Sequence, residues 1–161
     1  MEIRLRRAML QEAAALHAMQ LAAFLPLLRK YQDHDISPAT ETLASFRGKL
    51  AQAESHFYWI ERGPQAVGGL RVAALPGSGQ CRISPLFILP AFQNQGIAQA
   101  AMRLAERLHQ PDHGWRLDTI LEERGNCHLY EKLGYVRVGQ ARMVKPGMHL
   151  VVYHKACAAT R

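Results

Sequence analysis

Apolar and polar residues recur along the chain in patterns that predict an ordered series of strands and helices. After residue 96, Ile97, Ala101 and Leu104 recur at helical spacing opposite charged residues. This spacing predicts an amphipathic helix that ends before Pro111. Periodicity and turn residues predict strands over residues 3–6, 56–62, 66–74, 81–89, 117–121, 135–144 and 148–154, and further helices over residues 9–25, 38–51 and 127–133.

Proline and glycine residues set the expected ends of these helices. Pro26 is expected to bend or end the first helix, because a proline inside a helix removes a hydrogen bond. Ser37 is the predicted cap of the second helix, with Pro38 at its first position, and Gly134 is expected to stop the last helix. The three strands between residues 56 and 89 form a predicted antiparallel meander, and the order of all elements predicts a mixed α/β sheet.

The length of 161 residues fits one domain over residues 1–161, because a chain of this size buries roughly two thirds of the surface of its unfolded form. Three cysteines, an odd number without close pairing, and a first segment without the apolar core of a signal peptide predict a reducing, cytoplasmic setting. The longest apolar runs fall short of the ~20 residues that cross a bilayer, so no membrane partner is expected.

The formal net charge is +7, but the basic residues are spread from Arg4 to Arg161 without a dense block. They also lack the interleaved aromatic residues of a nucleic-acid surface, so no nucleic-acid partner is expected. A general positive field would attract a polyanionic ligand, and it would equally keep a small protein in solution. Charge alone does not decide between these two roles.

The stretch from Leu86 to Ala98 predicts a phosphate-binding turn. An apolar strand leads through Pro90 into a helix whose entrance carries Gly96 and Ala98. The start of a helix leaves backbone N–H groups without partners, and a glycine there lets an anion approach the main chain closely. The predicted ligand is a phosphorylated cofactor.

Two blocks of this sequence resemble the GNAT superfamily of N-acetyltransferases. The spacing of Gln93, Gly96 and Ala98 is similar to the glutamine- or arginine-led acyl-coenzyme A signature of that superfamily, and residues 126–135 resemble its later helix-turn-strand segment. The two blocks occur in the family's order, and the resemblance extends from about residue 86 to residue 139. It implies an α/β fold with a mixed, mostly antiparallel seven-stranded sheet, about four helices, and fourth and fifth strands that splay apart to admit the pantetheine arm.

The resemblance implies acetyl-CoA as the cofactor. The backbone N–H groups from Asn94 to Ala98 would surround the diphosphate, and main-chain groups of Phe87 and Ile88 would bind the pantetheine and the acetyl carbonyl, with the Ile88 N–H as oxyanion donor. An apolar strand here is equally an ordinary core strand, and Pro85 is expected to mark a bulge in it. The residues that the resemblance assigns to the cofactor are Phe87, Ile88, Gln93, Asn94, Gln95, Gly96, Ile97, Ala98 and Asn126.

Tyr130 is the predicted general acid. It follows Asn126 by four residues, so the two share a helical face, and one can bond pantetheine amides while the other offers a proton. A tyrosine of pKa ~10 stays protonated at neutral pH and can protonate a thiolate whose pKa resembles the ~8.5 of a cysteine. The alternative is a core tyrosine whose hydroxyl reaches water.

No general base stands out. The glutamate that many family members carry before the phosphate-binding turn aligns with Arg82, and Ser84 follows. A water relay or an acceptor that is already partly deprotonated would replace a dedicated base. The acidic and histidine residues that remain as candidates, each as readily solvated or structural, are Asp33, His34, Asp35, Glu41 and Asp118.

Other reactive residues do not form a site in the sequence. His109 and His113 have helical metal-ligand spacing, but Pro111 lies between them and should break the helix, so no metal is expected. Cys127 and His128 are adjacent and would point in different directions on a helix. Direct transfer to the acceptor is therefore expected rather than a cysteine intermediate.

The function that these features indicate is transfer of an acetyl group from acetyl-CoA to a primary amine of an unidentified small-molecule or peptide acceptor. Acidic residues between Asp33 and Glu41 would attract a cationic amine. The alternative is a noncatalytic acyl-CoA binding module or sensor, which the missing glutamate favours. The sequence leaves the acceptor, the acyl length and the oligomeric state open, with a homodimer among the options.

Overall fold

The computed structural model describes residues 2–157, which form seven strands and four α-helices. Short 3₁₀ turns at Leu10–Glu12, Pro38–Thr40 and Pro90–Phe92 precede α1, α2 and α3. The strands are β1 (Ile3–Arg7), β2 (Ser55–Arg62), β3 (Gln65–Leu75), β4 (Gln80–Ile88), β5 (Trp115–Ile120), β6 (Val136–Lys145) and β7 (Met148–Lys155), and the helices are α1 (Ala13–Tyr31), α2 (Leu43–Ala51), α3 (Ile97–Leu108) and α4 (Arg124–Lys132).

The strands form one sheet in the order β1-β2-β3-β4-β5-β7-β6. The pairs β1–β2, β2–β3, β5–β7 and β6–β7 are antiparallel, whereas β4 and β5 are parallel. This arrangement confirms the predicted mixed, mostly antiparallel seven-stranded sheet with four helices. The parallel register contains only the pairs Cys81–Trp115 and Arg82–Arg116, although β4 continues to Ile88 and β5 to Ile120. A short register of this kind is what the predicted splay of the two strands requires.

The described residues fall into two compact units. The first contains the chain up to Ala73 together with Pro85–Leu108, and its core packs Phe46 against Phe57 with ring centroids 4.9 Å apart. The second contains Ala74–Ser84 and the chain from His109 onward, with buried Trp115 and Tyr153 as its largest core side chains. The single domain expected from the length stays a prediction.

The first helix does not end at Pro26, so of the two expected effects of this proline, bending or ending, the ending was wrong. α1 continues to Tyr31, and Gln32 ends it in the left-handed conformation, with its amide donating to the Leu28 carbonyl at 2.8 Å. Pro26 and Ala22 are both exposed, so the carbonyl that loses its donor faces water, while buried residues of the opposite face hold the helix on the core. Within residues 2–157 no helix combines the length and apolarity needed to cross a bilayer.

The second helix begins later than predicted. Ser37 does act as a cap, because its hydroxyl accepts from the Ala39 amide at 3.1 Å, but the 3₁₀ turn that it caps ends at Thr40. A second cap then starts α2, with the Thr42 hydroxyl accepting from the Ser45 amide at 3.1 Å.

The strand β4 is continuous through Pro85, where a bulge was expected. Its register with β5 ends before that residue, at Arg82.

Two glycines of β3 let the end of β4 approach closely. A Cβ atom on Gly68 would overlap the Phe87 carbonyl oxygen, and one on Gly69 would lie 2.5 Å from the Phe87 ring. The amide of Leu89 donates to the Val67 carbonyl at 2.9 Å beside them. The backbone of the predicted cofactor residues is therefore held against β3 by the absence of side chains.

Replacing Gly68 by alanine should lower the free energy of unfolding by about 1–3 kcal/mol, because the added methyl group overpacks the contact with Phe87. The control is Gly48→Ala in α2, where a Cβ atom meets nothing within 4 Å. That variant should gain about 0.5–1 kcal/mol, since alanine is the better helix former. Urea denaturation measures both, and an unchanged stability of Gly68→Ala would show that β3 and β4 are farther apart.

Candidate functional site

The turn between β4 and α3 is built by two residues with left-handed backbone. Phe92 and Gln93 close the 3₁₀ turn by donating to the carbonyls of Leu89 and Pro90. Asn94 and Gly96 then have φ angles of 62° and 77°. The chain reverses at these two residues, and α3 starts with the Ala100 amide donating to the Gly96 carbonyl at 3.1 Å.

The amides of residues 94–98 have no internal acceptor among the described residues. The first turn of α3 contains no acidic residue, so the positive end of the helix is not neutralised locally. A Cβ atom on Gly96 would meet nothing within 4 Å, so the space in front of its backbone is open. Several N–H donors at the start of a helix, with an exposed glycine among them, fit the diphosphate of coenzyme A.

Side chains of this turn stabilise its backbone through hydrogen bonds. The Gln93 side-chain amide donates to the Ile88 carbonyl at 3.0 Å, and that of Gln95 to the Ala91 carbonyl at 3.5 Å. Ile97 is buried. The structure thus brings the predicted residues 93–98 together on one turn, where backbone groups rather than these side chains are left for a ligand.

Phe87 and Ile88 are both buried at the end of β4. The Phe87 ring packs edge-on against Phe24, with ring centroids 5.8 Å apart. The side chains therefore belong to the core, as the alternative interpretation of this strand held. Contact between their main-chain groups and a cofactor remains compatible with that packing and stays a prediction.

Tyr130 is a buried residue of α4, in the second unit. Its ring lies 6.1 Å from the ring of Tyr135 and 6.0 Å from that of Tyr153. Burial, with a smaller contribution from Cys127, raises the pKa of Tyr130 to about 12. Complete proton transfer to a thiolate of pKa ~8.5 would then be uphill by roughly 5 kcal/mol. The hydroxyl is thus better suited to donate a hydrogen bond to the thiolate as it forms than to ionise first.

Asn126 and Tyr130 both lie on α4, but their side chains differ in exposure to solvent. The Asn126 side chain is exposed, whereas Tyr130 is buried. Cys127, which lies between them in the sequence, is also buried. Its thiol contacts the carbonyls of Ile120 and Leu121 at 3.8 and 3.7 Å. Binding of one ligand by both Asn126 and Tyr130 stays a prediction.

Glu41 is occupied by structural contacts. Its carboxylate accepts from the Gln20 amide at 2.9 Å and the Ser45 hydroxyl at 2.8 Å, and it pairs with the Lys49 ammonium at 2.9 Å. Burial by itself would raise the pKa of Glu41, but the hydrogen bonds from Lys49, Gln20 and Ser45 outweigh it, and the net pKa is lowered. A paired carboxylate of lowered pKa is a poor base, and Lys49 neutralises the charge that would attract a cationic acceptor.

The other candidate bases are divided between the two units. In the first unit, His34 and Asp35 are exposed. The backbone carbonyl of Asp33 accepts from the Ile36 and Ser37 amides just after α1, and its carboxylate Oδ1 is buried without a hydrogen-bond partner among the described residues. In the second, Asp118 on β5 forms an ion pair with Arg82 on β4, with Nη2 and Oδ2 3.3 Å apart. The position aligned with the family's glutamate is thus held by an arginine that binds an aspartate.

A family model described as acetyltransferase (GNAT) family matches residues 16–135, more than half of the chain. The chain belongs to the GNAT acetyltransferase family. No curated protein matches its sequence.

Solved structures share the fold of this GNAT acetyltransferase at low sequence identity. An acetyltransferase from Thermus thermophilus is 15% identical over 97% of both chains, with a TM-score of 0.73. Spermidine N-acetyltransferase from Vibrio cholerae, in complex with CoA and spermine, is 13% identical over 96% of this chain and 95% of its own, with a TM-score of 0.75. The ribosomal-protein-S18-alanine N-acetyltransferase from Escherichia coli is 10% identical over 97% and 94%, with a TM-score of 0.75.

Arg62 of this GNAT chain was missed by reasoning from the sequence. Its Nη1 donates to the Gln95 side-chain oxygen at 2.6 Å, and its guanidinium lies 5.0 Å from the centre of the Phe92 ring. A cation is therefore placed against the turn before α3. A single arginine at the end of β2 carries no signal of this contact, because the two segments meet only in the folded sheet.

The pair formed by Glu122 and His149 was missed as well. One carboxylate oxygen of Glu122 accepts from the His149 backbone amide at 2.8 Å, and the other lies 2.6 Å from Nδ1. The hydrogen bonds from His149 lower the pKa of Glu122. These two contacts fix both the ring and the backbone of His149 against Glu122. Within residues 2–157 no cluster of three potential metal ligands is found.

Glu41→Gln should lower the free energy of unfolding at neutral pH by about 1–2 kcal/mol, because it removes charged hydrogen bonds from a pair that solvent partly screens. A folded-state pKa below the ordinary 4.5 means that this contribution is present above pH 4.5 and is lost as the pH falls through the lowered value. Denaturation from pH 7 to pH 2.5 should show the two curves converge in acid. The exposed Glu54→Gln is the control, and a constant difference across that range would contradict the assignment.

Proposed function

We propose that this protein is an acetyl-CoA-dependent N-acetyltransferase that transfers the acetyl group to a primary amine by direct attack. The observation that carries the proposal is the set of amides at residues 94–98, which have no internal acceptor among the described residues and end on an exposed helix start. Membership of the GNAT family supports the same chemistry. Three free cysteines, Cys81, Cys127 and Cys157, support a cytoplasmic setting.

The backbone amides assigned to acetyl-CoA are better suited to bind its diphosphate than to bind a side chain of the protein. Amides donate to phosphate oxygens without carrying charge themselves, and Arg62 adds a fixed positive charge next to Gln95. Acetyl-CoA supplies the activated thioester when bound. The cofactor residues of the proposal remain Phe87, Ile88, Gln93, Asn94, Gln95, Gly96, Ile97, Ala98 and Asn126.

Two further roles are assigned residue by residue. The backbone N–H of Ile88 would stabilise negative charge on the carbonyl oxygen, because a fixed amide needs no reorganisation as that charge develops. Tyr130 would donate a hydrogen bond to the departing sulfur, and its raised pKa keeps that proton in place. The amine proton would pass to water, or be lost before the acceptor binds.

A noncatalytic acyl-CoA sensor is the second candidate, because Arg82 stands where many family members carry a glutamate base. Release of free CoA from acetyl-CoA in the presence of a panel of amines separates the two functions. Turnover above the amine-free rate supports the enzyme. Tight CoA binding without turnover on any amine supports the sensor.

Gly96→Ala should weaken CoA binding about tenfold, because alanine disfavours a φ of 77° and the turn would relax away from the conformation that leaves its amides free. Gly77→Ala is the matched control, since Gly77 has a φ of 73° and equally open space but lies in the turn between β3 and β4. Isothermal titration calorimetry with CoA measures both. Equal affinities of the two variants would remove the role of the turn.

Tyr130→Phe should lower kcat by about 100-fold and leave CoA affinity within about twofold, since only the hydrogen bond to the departing sulfur is lost. Tyr135→Phe, a neighbouring buried tyrosine on the next segment, is the control and should keep near-normal kcat. Steady-state kinetics with thermal denaturation of each variant checks both statements. A wild-type kcat that falls through a tyrosine ionisation well below pH 12 would contradict the raised pKa.

A further inference from the structure

Two arginines stand side by side where the register of β4 and β5 ends. Arg82 and Arg116 are partners in that register, so their side chains leave the same face of the sheet. Asp118, two residues along β5, is on this face as well and pairs with Arg82. Along β5 the residues of the opposite face, such as Leu117, are buried, whereas Arg116 is exposed.

The guanidinium of Arg82 has hydrogen-bond donors that the described residues leave without a partner. Its Nη2 is 3.3 Å from Asp118, a long contact for an ion pair with a carboxylate. Its Nε is buried and has no hydrogen-bond partner among the described residues. The Nε and Nη2 donors form the planar edge with which an arginine grips both oxygens of one carboxylate, so half of that edge is unfilled.

The charges of this face do not cancel. Arg82 and Arg116 carry two positive charges against the single negative charge of Asp118, and within residues 2–157 no ion pair is found for Arg116. His154, the register partner of Arg116 on β7, is bonded through Nε2 to the His113 carbonyl at 3.2 Å and adds no negative charge. Neighbouring like charges repel unless an anion is shared between them.

We propose that Arg82 and Arg116 bind a carboxylate of the acceptor, so that the acceptor is an amine carrying a free carboxylate, such as an α-amino acid. This inference rests on the proposed acetyltransferase function and names its substrate class. Rotation of the partly exposed Arg82 side chain would bring its unpartnered Nε edge to the carboxylate, and Asp118 beside it would face the ammonium of the same zwitterion. A pair of opposite charges on the protein then matches a pair of opposite charges on the acceptor.

The test compares free α-amino acids with their α-amides and with spermidine as acceptors, following CoA release. An amide has the less basic amine and is the more reactive nucleophile at neutral pH, so a preference for the acid runs against intrinsic reactivity. We expect at least one free amino acid to exceed its amide by about tenfold or more in kcat/KM, which corresponds to about 1.4 kcal/mol. Preference for the amides or for spermidine would overturn the inference.

Three variants test whether Arg82 causes the preference for the free acid over its amide. Arg82→Gln and Arg82→Lys should both lower kcat/KM for the preferred acid by about 30-fold or more and lower that for the amide far less, since lysine keeps the charge but not the planar edge and the amide lacks the carboxylate that this edge binds. Arg137→Gln, an exposed arginine of β6, should change neither. An equal loss on acid and amide in the Arg82 variants would mean a structural role and would overturn the inference.

A binding measurement separates this inference from the function on which it rests. In the CoA-saturated protein, the ¹⁵N-detected Nε–H resonance of Arg82 should shift on titration with the preferred amino acid and stay fixed with its amide. Intact CoA affinity without turnover on any free amino acid would overturn the acceptor class alone. Loss of all CoA affinity in the wild-type protein would overturn the acetyltransferase function itself.

Discussion

One backbone constraint underlies the candidate site: the chain enters α3 through two left-handed residues, Asn94 and Gly96, and leaves the following amides without an internal acceptor among the described residues. A protein whose helix starts only for packing would end this segment with a capping side chain, as Thr42 does for α2. Here the neighbouring side chains of Gln93 and Gln95 are bonded back to carbonyls of the preceding segment. The donors of the turn are therefore available to an anion.

The absence of side chains at two glycines also holds β4 in position. Gly68 and Gly69 allow the backbone at Phe87 to press against β3, so the apolar side chains can fill the core while main-chain groups keep their direction. In the second unit, burial raises the pKa of Tyr130 and keeps its hydroxyl protonated, and Arg82, at the position where a general base was sought, pairs with Asp118. An enzyme built this way would rely on positioning and hydrogen-bond donation more than on proton abstraction.

Local signals made most of the fold predictable. The helical spacing from Ile97 to Leu104 and the turn residues between strands placed elements close to their observed bounds, because capping, φ preference and periodicity act within a few residues. Pro26 was misleading, since burial of the opposite face of α1 overrides a local penalty. The partners of Glu41 and the pair of Glu122 with His149 join segments that are distant in sequence, so no local pattern records them.

The most direct measurement of the central claim is a backbone amide spectrum of the ¹⁵N-labelled protein during titration with coenzyme A and, separately, with pantetheine, which lacks the diphosphate. A turn that binds the diphosphate predicts large downfield shifts of the Gly96, Ile97 and Ala98 amide protons with coenzyme A, as they donate to phosphate oxygens, and little change at these amides with pantetheine. Saturation with coenzyme A that leaves these resonances unmoved would contradict it.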